Sequence, residues 1–189
     1  MKRAVFVVLS SPSGGGKDTI ILRLLKVFSD SARLVTTTTR KPRVNDTAGV
    51  SYNFVSEDSF KKKIKDGEML EYNIYNGNYY GIEKRVLSET LAGSSFVFTN
   101  IDVNGKASLD KNNIAHIAIF LLPESLKVLE RRIRERGGLT EDEIKNRLNI
   151  AKKEMKKADI YDYEVKNRDG KIEQTVEKIK EIIDKKTRM

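Results

Sequence analysis

The feature that most constrains the fold is a short apolar segment that leads directly into a glycine-rich turn and an amphipathic helix. Residues 4–10 are mostly β-branched or aromatic, which is typical of a buried strand. Three consecutive glycines precede Lys17, and from there to residue 28 apolar side chains recur every three or four positions, which predicts a helix. A strand, a tight glycine loop and a helix in this order open a βαβ unit.

Most of the remaining chain continues the alternation of strands and helices. Further strands are predicted at 96–101, 114–122 and near 163–166. Further helices are predicted at 124–136, 140–158 and 171–185. Thr140 and Glu143 have the spacing of a capping box at the start of the second of these helices. The pattern predicts an α/β protein with a parallel sheet covered by helices on both faces.

The segment 36–90 breaks this alternation. It is rich in Thr, Tyr, Asn and Gly and contains short stretches of alternating hydrophobicity, one of them beside the Asn76-Gly77 turn signal. We therefore predict a small, mostly antiparallel insertion between two βα units.

Composition narrows the class of protein further. The 189 residues fit one domain, and no apolar run approaches the roughly 20 residues of a membrane-spanning helix, so we expect no membrane partner. The basic and apolar N-terminus has some features of a signal peptide, but the glycine-lysine turn that follows favours a strand. The chain has no cysteine, which excludes thiol catalysis and disulfides and fits a reducing cytoplasm. A monomer and a homodimer both remain open.

The formal net charge of +9 has two interpretations. Much of the excess is lysine in helical stretches such as 60–65 and 151–157, where solvated helix faces explain it. No basic ribbon interleaved with aromatic residues supports nucleic-acid binding. A positive field that attracts nucleotides is the alternative interpretation.

The glycine turn is close to the phosphate-loop pattern G-x-x-x-x-G-K-[ST], although Ser11 replaces its first glycine. Consecutive glycines let the backbone wrap around a polyphosphate at a helix N-terminus, and Lys17 brings a positive charge to the β- and γ-phosphates. The alternative is a glycine-rich turn with a surface lysine. The predicted ATP-binding residues are Ser11, Pro12, Ser13, Gly14, Gly15, Gly16, Lys17, Asp18 and Thr19.

Asp18 stands where the pattern has a Mg²⁺-binding hydroxyl. A carboxylate beside a triphosphate is repulsive unless a cation lies between them, and carboxylates are good ligands for Mg²⁺, directly or through water. Thr19 offers a hydroxyl one residue later. We therefore expect Mg²⁺ as the cofactor, with Asp18 as its ligand. The alternative is an acidic residue that only favours the helix dipole.

Beyond the phosphate loop, the chain resembles guanylate kinases over nearly all of its length. The matching blocks are residues 11–17, 38–43, 49–55, 77–81, 101–102, 136–137 and 147–148. The resemblance implies transfer of the γ-phosphoryl group of ATP to GMP. It also implies three parts, which are a core at 1–35, 91–123 and 159–189, a GMP-binding insertion at 36–90 and a mobile lid at 124–158.

The resemblance assigns roles in the acceptor site. Arginine forks and tyrosine hydroxyls would hold the acceptor phosphate, and carboxylates would accept the N1–H and N2–H of guanine, while a threonine donates to its O6. The implied residues are Thr36, Arg40, Arg43, Tyr52, Glu71, Tyr80 and Asp102. The alternatives are surface arginines, tyrosines at the edge of the core and a glutamate that faces solvent.

The resemblance also implies that Arg132, Arg136 and Arg147 close over the phosphates as catalytic residues together with Lys17. A basic, solvated helix is the alternative, and we prefer it for Arg134. No general base is assigned, because an acceptor phosphate is already ionised at neutral pH. The single histidine, His116, is interpreted as structural.

Three departures from the family pattern are Asp18, Asn100, where an acidic residue is usual, and Ile82, where a small hydroxyl residue is usual. Asp18 and Asn100 resemble the ribose 1,5-bisphosphate phosphokinases, so a ribosyl phosphate acceptor is one rival hypothesis. A non-catalytic module that binds a protein in the GMP pocket is another. Such modules have generally lost the phosphate loop, whereas residues 14–17 persist here.

Overall fold

The computed structural model describes residues 4–42, 46–75, 77–135 and 137–188, and it contains both strands and helices. The strands are β1 Val5–Ser10, β2 Ser31–Arg33, β3 Thr37–Thr38, β4 Asn53–Phe54, β5 Met69–Tyr75, β6 Asn78–Glu83, β7 Phe96–Asn100, β8 Ile117–Pro123 and β9 Tyr163–Asn167. The helices are α1 Lys17–Val27, α2 Glu57–Lys65, α3 Lys84–Gly93, α4 Val103–Lys111, α5 Leu126–Glu135, α6 Glu141–Met155 and α7 Ile172–Thr187, with a 3₁₀ turn at Ala158–Ile160.

The main sheet has five parallel strands in the order β2-β7-β1-β8-β9. Successive residues of β1 alternate between the two faces. Val7 and Leu9 pack into the apolar cluster that includes α1 and α7, whereas Phe6 and Val8 pack into a second cluster on the opposite face. Both faces of a parallel sheet are therefore covered, which explains the nearly continuous apolar run of β1 and confirms the predicted fold class.

A second sheet has the order β4-β3-β6-β5, and β6 runs antiparallel to both of its neighbours. Among the described strands of this second sheet, β3 and β4 form the one parallel pair. The prediction of a mostly antiparallel insertion is therefore confirmed. The register of β5 against β6 shifts between Met69 and Glu71, and such an irregularity re-aims the side chain next to it. A Cβ on Gly81 would collide with the Met69 side chain and the Glu71 carbonyl, so β6 needs glycine there.

Helices α5 and α6 form a pair whose apolar side chains, among them Leu129 and Ile144, form a cluster of their own. The capping box at the start of α6 is confirmed, since the Thr140 hydroxyl accepts from the Glu143 amide at 3.3 Å and the Glu143 carboxylate accepts from the Thr140 amide at 2.7 Å. A Cβ on Gly14 would lie 3.1 Å from the Leu129 side chain. The helix pair therefore packs directly against the glycine loop.

His116 precedes β8 and is nearly buried. Its Nδ1 lies 2.7 Å from the Ile114 carbonyl oxygen, and its ring contacts Phe6 edge-on. These contacts support the structural interpretation of this histidine. Within the described ranges, no helix combines the length and apolar character that crossing a bilayer requires.

Candidate active site

A cleft of about 440 Å³ opens at the carboxyl ends of β1, β2 and β7, between the main sheet and the second sheet. The glycine loop forms one wall, residues of the second sheet form the other, and α6 contributes a side chain from above. Ligands in open parallel sheets bind at this edge, because the loops that follow the strands converge there.

The three glycines of the loop are required for two different reasons. Gly14 and Gly16 have φ angles of 92° and 91°, which side chains with a Cβ rarely adopt. A Cβ on Gly15 would overlap the Ser11 hydroxyl. Helix α1 begins immediately afterwards without a side-chain cap, so its first amide groups are open to an anion.

Lys17 and Asn167 fasten the loop from its two sides. The Lys17 ammonium donates to the Ser11 carbonyl oxygen at 2.5 Å and lies 3.2 Å from the Ser11 hydroxyl. Behind the loop, the buried Asn167 amide donates to the Gly15 carbonyl oxygen at 2.8 Å and accepts from Thr175 at 3.1 Å. The last strand and the last helix therefore fix the shape of a loop that lies far away in sequence.

Asp18 points toward β2 and β7. Its Oδ1 accepts from the Arg33 guanidinium at 2.6 Å and from the Asn100 amide nitrogen at 3.2 Å. The Asn100 amide oxygen in turn lies 3.3 Å from the same Arg33 nitrogen. Sequence reasoning missed Arg33, because a lone arginine in a three-residue strand carries no local motif.

The opposite end of the cleft presents an arginine and two tyrosines. Arg40 pairs with Asp46 at 2.8 Å, and its guanidinium carbon lies 5.2 Å from the centre of the Tyr52 ring. Tyr52 and Tyr80 contact each other edge to face, with ring centres 5.9 Å apart. Burial, followed by the charge of Asp18, raises the pKa of Tyr52, so its hydroxyl stays protonated and able to donate.

Two carboxylates meet deeper in the cleft. Asp102 caps α4 by accepting from the Gly105 amide at 2.8 Å, and its second oxygen accepts from the Asn73 amide at 2.5 Å. Glu71 is only 7% exposed, and burial together with the charge of Asp102 raises its pKa to about 8. A Cβ on Gly105 would lie 3.2 Å from a Glu71 carboxylate oxygen, so glycine at this position leaves room for that carboxylate.

Glu154 reaches the same cleft from the last turn of α6. Its Oε2 is buried and has no hydrogen-bond partner among the described residues. The pKa of Glu154 is raised to about 7. Burial is the main cause, Lys17 opposes the increase, and Asp102 adds to it. Tyr75, also in the wall, has its pKa raised to about 12 by burial and by Glu154, while Arg147 lowers it. Glu154, Tyr75 and Asn73 were missed because they lie in ordinary helix and strand patterns.

The structure brings most of the predicted site residues into the cleft wall, namely Ser11, Ser13, Gly14, Gly15, Gly16, Lys17, Asp18, Thr36, Arg40, Tyr52, Glu71, Tyr80 and Asp102. Four other predicted residues, Pro12, Thr19, Arg132 and Arg147, are not part of the wall. Arg132 pairs with Asp169 at 2.9 Å, and Arg147 is half-buried on α6. Arg43 and Arg136 lie outside the described residues.

Comparison with known proteins identifies the family of the chain that forms this cleft. The family model described as guanylate kinase matches residues 3–186. The chain belongs to the guanylate kinase family. It is 40% identical over 182 residues to the guanylate kinase of Rickettsia prowazekii (strain Madrid E), an alignment that covers 96% of this chain and 91% of that protein. The predicted family resemblance is therefore confirmed.

Two further comparisons agree. The guanylate kinase of Wolbachia sp. subsp. Brugia malayi (strain TRS) is 41% identical over 182 residues, covering 96% of this chain and 92% of the relative. A crystal structure of guanylate kinase from Anaplasma phagocytophilum superposes with a TM-score of 0.79 at 27% identity, over 98% of this chain and 87% of that one. The similarity to guanylate kinases thus covers the main sheet, the second sheet and the helix pair together.

Proposed function

We propose that the protein transfers the γ-phosphoryl group of ATP to GMP, producing ADP and GDP in purine nucleotide metabolism. The observation that carries the proposal is that an open phosphate loop and the buried carboxylate Glu71 face one cleft. A donor triphosphate and a guanine-bearing acceptor can therefore bind at the same time. Membership of the guanylate kinase family supports the same reaction.

The donor half would bind ATP through its backbone. Backbone N–H groups of residues 13–19 would surround the phosphates, with Ser11 and Pro12 completing the loop, and the Lys17 ammonium would exchange its contacts with Ser11 for the β- and γ-phosphates. This exchange lets the loop keep one shape with and without nucleotide. Catalysis then consists of positioning and charge stabilisation, which is what phosphoryl transfer needs.

Mg²⁺ is the proposed cofactor, and the residues present fit it. Among the described residues no group of three His, Cys, Asp or Glu side chains is arranged to hold a metal. An ion here would therefore take most of its ligands from phosphate oxygens and water, as Mg²⁺ does in nucleotide sites. Asp18, at the start of α1 and in the cleft wall, would be the carboxylate that holds it, and the ion would neutralise charge on the phosphates.

The acceptor half would bind GMP through side chains. Arg40 and Arg43 would hold the phosphate with the hydroxyls of Tyr52 and Tyr80. Guanine would donate its N1–H and N2–H to Glu71, assisted by Asp102, and would accept from Thr36 at O6. Adenine would instead leave a buried carboxylate without a donor, and a mismatch of that kind gives strong discrimination.

The helix pair is the proposed lid, formed within residues 124–158. Arg132 is held by Asp169 at one end of α5, and Arg147 lies on α6 near Tyr75. Closure would bring Arg132, Arg136 and Arg147 toward the transferred phosphoryl group. ATP and GMP are cytoplasmic nucleotides, so we infer that the enzyme acts in the cytoplasm. A monomer and a homodimer are both compatible with the proposed reaction.

A coupled assay of ADP release tests the reaction with GMP, AMP, UMP and ribose 1,5-bisphosphate as acceptors. GMP should support turnover at a kcat/KM several orders of magnitude above that of AMP. Turnover with the ribosyl phosphate and none with GMP would contradict the guanine site and leave the ATP site standing. Binding of ATP without transfer to any acceptor would contradict the enzymatic role.

The metal is tested in the same assay. Asp18→Ala should raise the Mg²⁺ concentration for half-maximal rate, while Asp18→Ser should retain activity because a hydroxyl is a usual ligand at this position. If the Mg²⁺ dependence of Asp18→Ala equals that of the wild type, Asp18 does not bind the metal and only interacts favourably with the helix dipole.

A further inference from the structure

Two positions at which the chain departs from the guanylate-kinase pattern lie against each other, and a third residue joins them. Asp18 Oδ1 accepts from both Arg33 at 2.6 Å and Asn100 at 3.2 Å. Asn100 also accepts from Arg33 at 3.3 Å, so the three side chains form a closed triangle. In the described part of the chain, Asp18 Oδ2 takes no hydrogen bond and is the oxygen left for a ligand.

The triangle addresses an electrostatic difficulty. A carboxylate at the start of α1 lies beside the position of a triphosphate, where like charges repel whenever no metal ion is present. Arg33 supplies the opposite charge from β2 through its guanidinium, which donates to the Asp18 carboxylate at 2.6 Å. The Arg33 side chain is only 11% exposed, whereas the Asp18 side chain is 57% exposed, so solvent reaches the pair from the side of the cleft.

We propose that Arg33 is a positioning residue that permanently compensates the charge of Asp18, which allows this phosphate loop to contain a carboxylate. Asn100 fixes the geometry by bonding to both partners. The Oδ1 atom of Asp18 is thereby hydrogen-bonded within the protein, and Oδ2 is the atom that would bind a divalent cation. This inference rests on the proposed function, because it requires ATP to occupy the loop.

The other charged groups of the cleft do not duplicate this role. Lys17 is directed to Ser11 and is the group that would leave for the phosphates. Glu154 interacts electrostatically with Lys17 and Asp102, and Arg40 is paired with Asp46 at the far end. Among the described residues, Arg33 is therefore the cation that forms an ion pair with Asp18.

Calorimetric titration of the protein with ATP alone, once with EDTA and once with excess Mg²⁺, tests the proposal without measuring turnover. Arg33→Gln should weaken ATP binding in EDTA by about one to two orders of magnitude, because an unpaired carboxylate then faces the phosphates. Excess Mg²⁺ should restore most of the affinity. Asp18→Asn should do the opposite and strengthen ATP binding in EDTA, since Arg33 then acts on the phosphates unopposed.

The double variant Asp18→Asn/Arg33→Gln separates compensation from direct contact. With no carboxylate to compensate, its ATP affinity in EDTA should return toward that of the wild type. Arg33→Lys keeps the charge and should rescue binding in EDTA. Arg23→Ala, which removes an exposed arginine of α1 that pairs only loosely with Glu173 at 3.4 Å, should leave the affinity unchanged.

Three results would contradict either this inference or the proposed function, and they show which of the two fails. If Arg33→Gln weakens ATP binding equally with and without Mg²⁺, and does so in the Asp18→Asn background as well, Arg33 acts on phosphate or on folding and the inference is wrong. If Arg33→Gln binds ATP as the wild type does in EDTA, compensation is also excluded. If the wild type binds no ATP in either buffer, the proposed function itself fails.

Discussion

The donor and acceptor halves of the cleft are built in different ways. The donor half is one continuous segment whose backbone geometry is set by glycines at φ near 90° and supported by Asn167. The acceptor half is assembled from side chains on separate segments, and these are already paired within the protein, as Arg40 is with Asp46 and Asp102 with Asn73. The proposed donor site therefore offers open backbone donors, whereas the proposed acceptor site offers side chains that partners within the protein already hold in place.

This difference predicts how each half responds to substitution. Changes in the donor half should affect every acceptor equally, because all share the same phosphoryl donor. Changes in the acceptor half should separate into those that alter base choice and those that alter phosphate binding.

The largest expected effect is that of Lys17→Met in the donor half. Loss of the charge over the β- and γ-phosphates should lower kcat by roughly three orders of magnitude, a typical loss when a phosphate-stabilising group is removed. Circular dichroism and thermal melting should show an intact fold. Lys26→Met, on the exposed last turn of the same helix, is the matched control. Normal turnover by a folded Lys17→Met protein would contradict the phosphate-loop assignment.

Glu71→Gln should have the next largest effect, confined to base choice. The amide offers one acceptor oxygen and places a donor against the N–H groups of guanine, so the preference for GMP over AMP should fall by roughly two orders of magnitude. Comparison of kcat/KM for the two nucleotides measures it. Glu68→Gln, exposed just before the same strand, should leave the preference unchanged. An unaltered preference in Glu71→Gln would show that another group reads the base.

What could be predicted from the sequence follows the same division. The phosphate loop, the main strands and the capping box at Thr140 are local patterns, and the structure contains all of them. The two residues of β3 and the three of β2 are too short for any periodicity to indicate. Helix α3, Lys84–Gly93, overlaps the end of the segment predicted as the insertion, because alternation and helical spacing are hard to separate over ten residues.

Site residues that depend on long-range packing could not be predicted. Arg33 and Glu154 enter the cleft through sheet order and helix docking, which no spacing in the sequence encodes. Ile82 illustrates the reverse case. The family resemblance predicts a small hydroxyl residue at this position, yet the Ile82 side chain is 1% exposed and packs in the apolar cluster with Phe6 and Val8. Ile82 thus contributes to core packing rather than to the cleft wall.

A smaller effect is expected for Arg40→Ala at the phosphate end of the acceptor half. The arginine is held by Asp46 and by the Tyr52 ring, so its fork is fixed before phosphate arrives. Its loss should raise the KM of GMP and of AMP by a similar factor of about ten, the equivalent of roughly 1.4 kcal/mol. Arg85→Ala, an exposed arginine of α3, is the control. A selective loss for GMP would contradict the separation of phosphate and base recognition.

The last expected effect is on stability rather than on turnover, and it concerns the free enzyme as pH changes. Burial and Asp102 raise the pKa of Glu71 from its ordinary value of 4.5 to about 8, so the folded protein retains a proton that the unfolded chain has lost. The associated stability is complete below the ordinary pKa and is lost as pH rises through about 8. Glu154, with its pKa raised to about 7, contributes with the same sign.

Thermal melting of the wild type and of Glu71→Gln between acidic and alkaline pH tests this loss, because glutamine cannot ionise. The Tm of the wild type should fall relative to that of the variant as pH rises, by about 2–4 °C for each kcal/mol lost in a protein of this size. Glu164→Gln, on an exposed face of β9, should follow the wild type. GMP should reduce the fall, since guanine donates to the ionised carboxylate. A constant difference in Tm between wild type and Glu71→Gln at every pH would show that Glu71 ionises as freely in the folded enzyme as in the unfolded chain. The acceptor half would then lack the desolvated carboxylate on which its base discrimination depends.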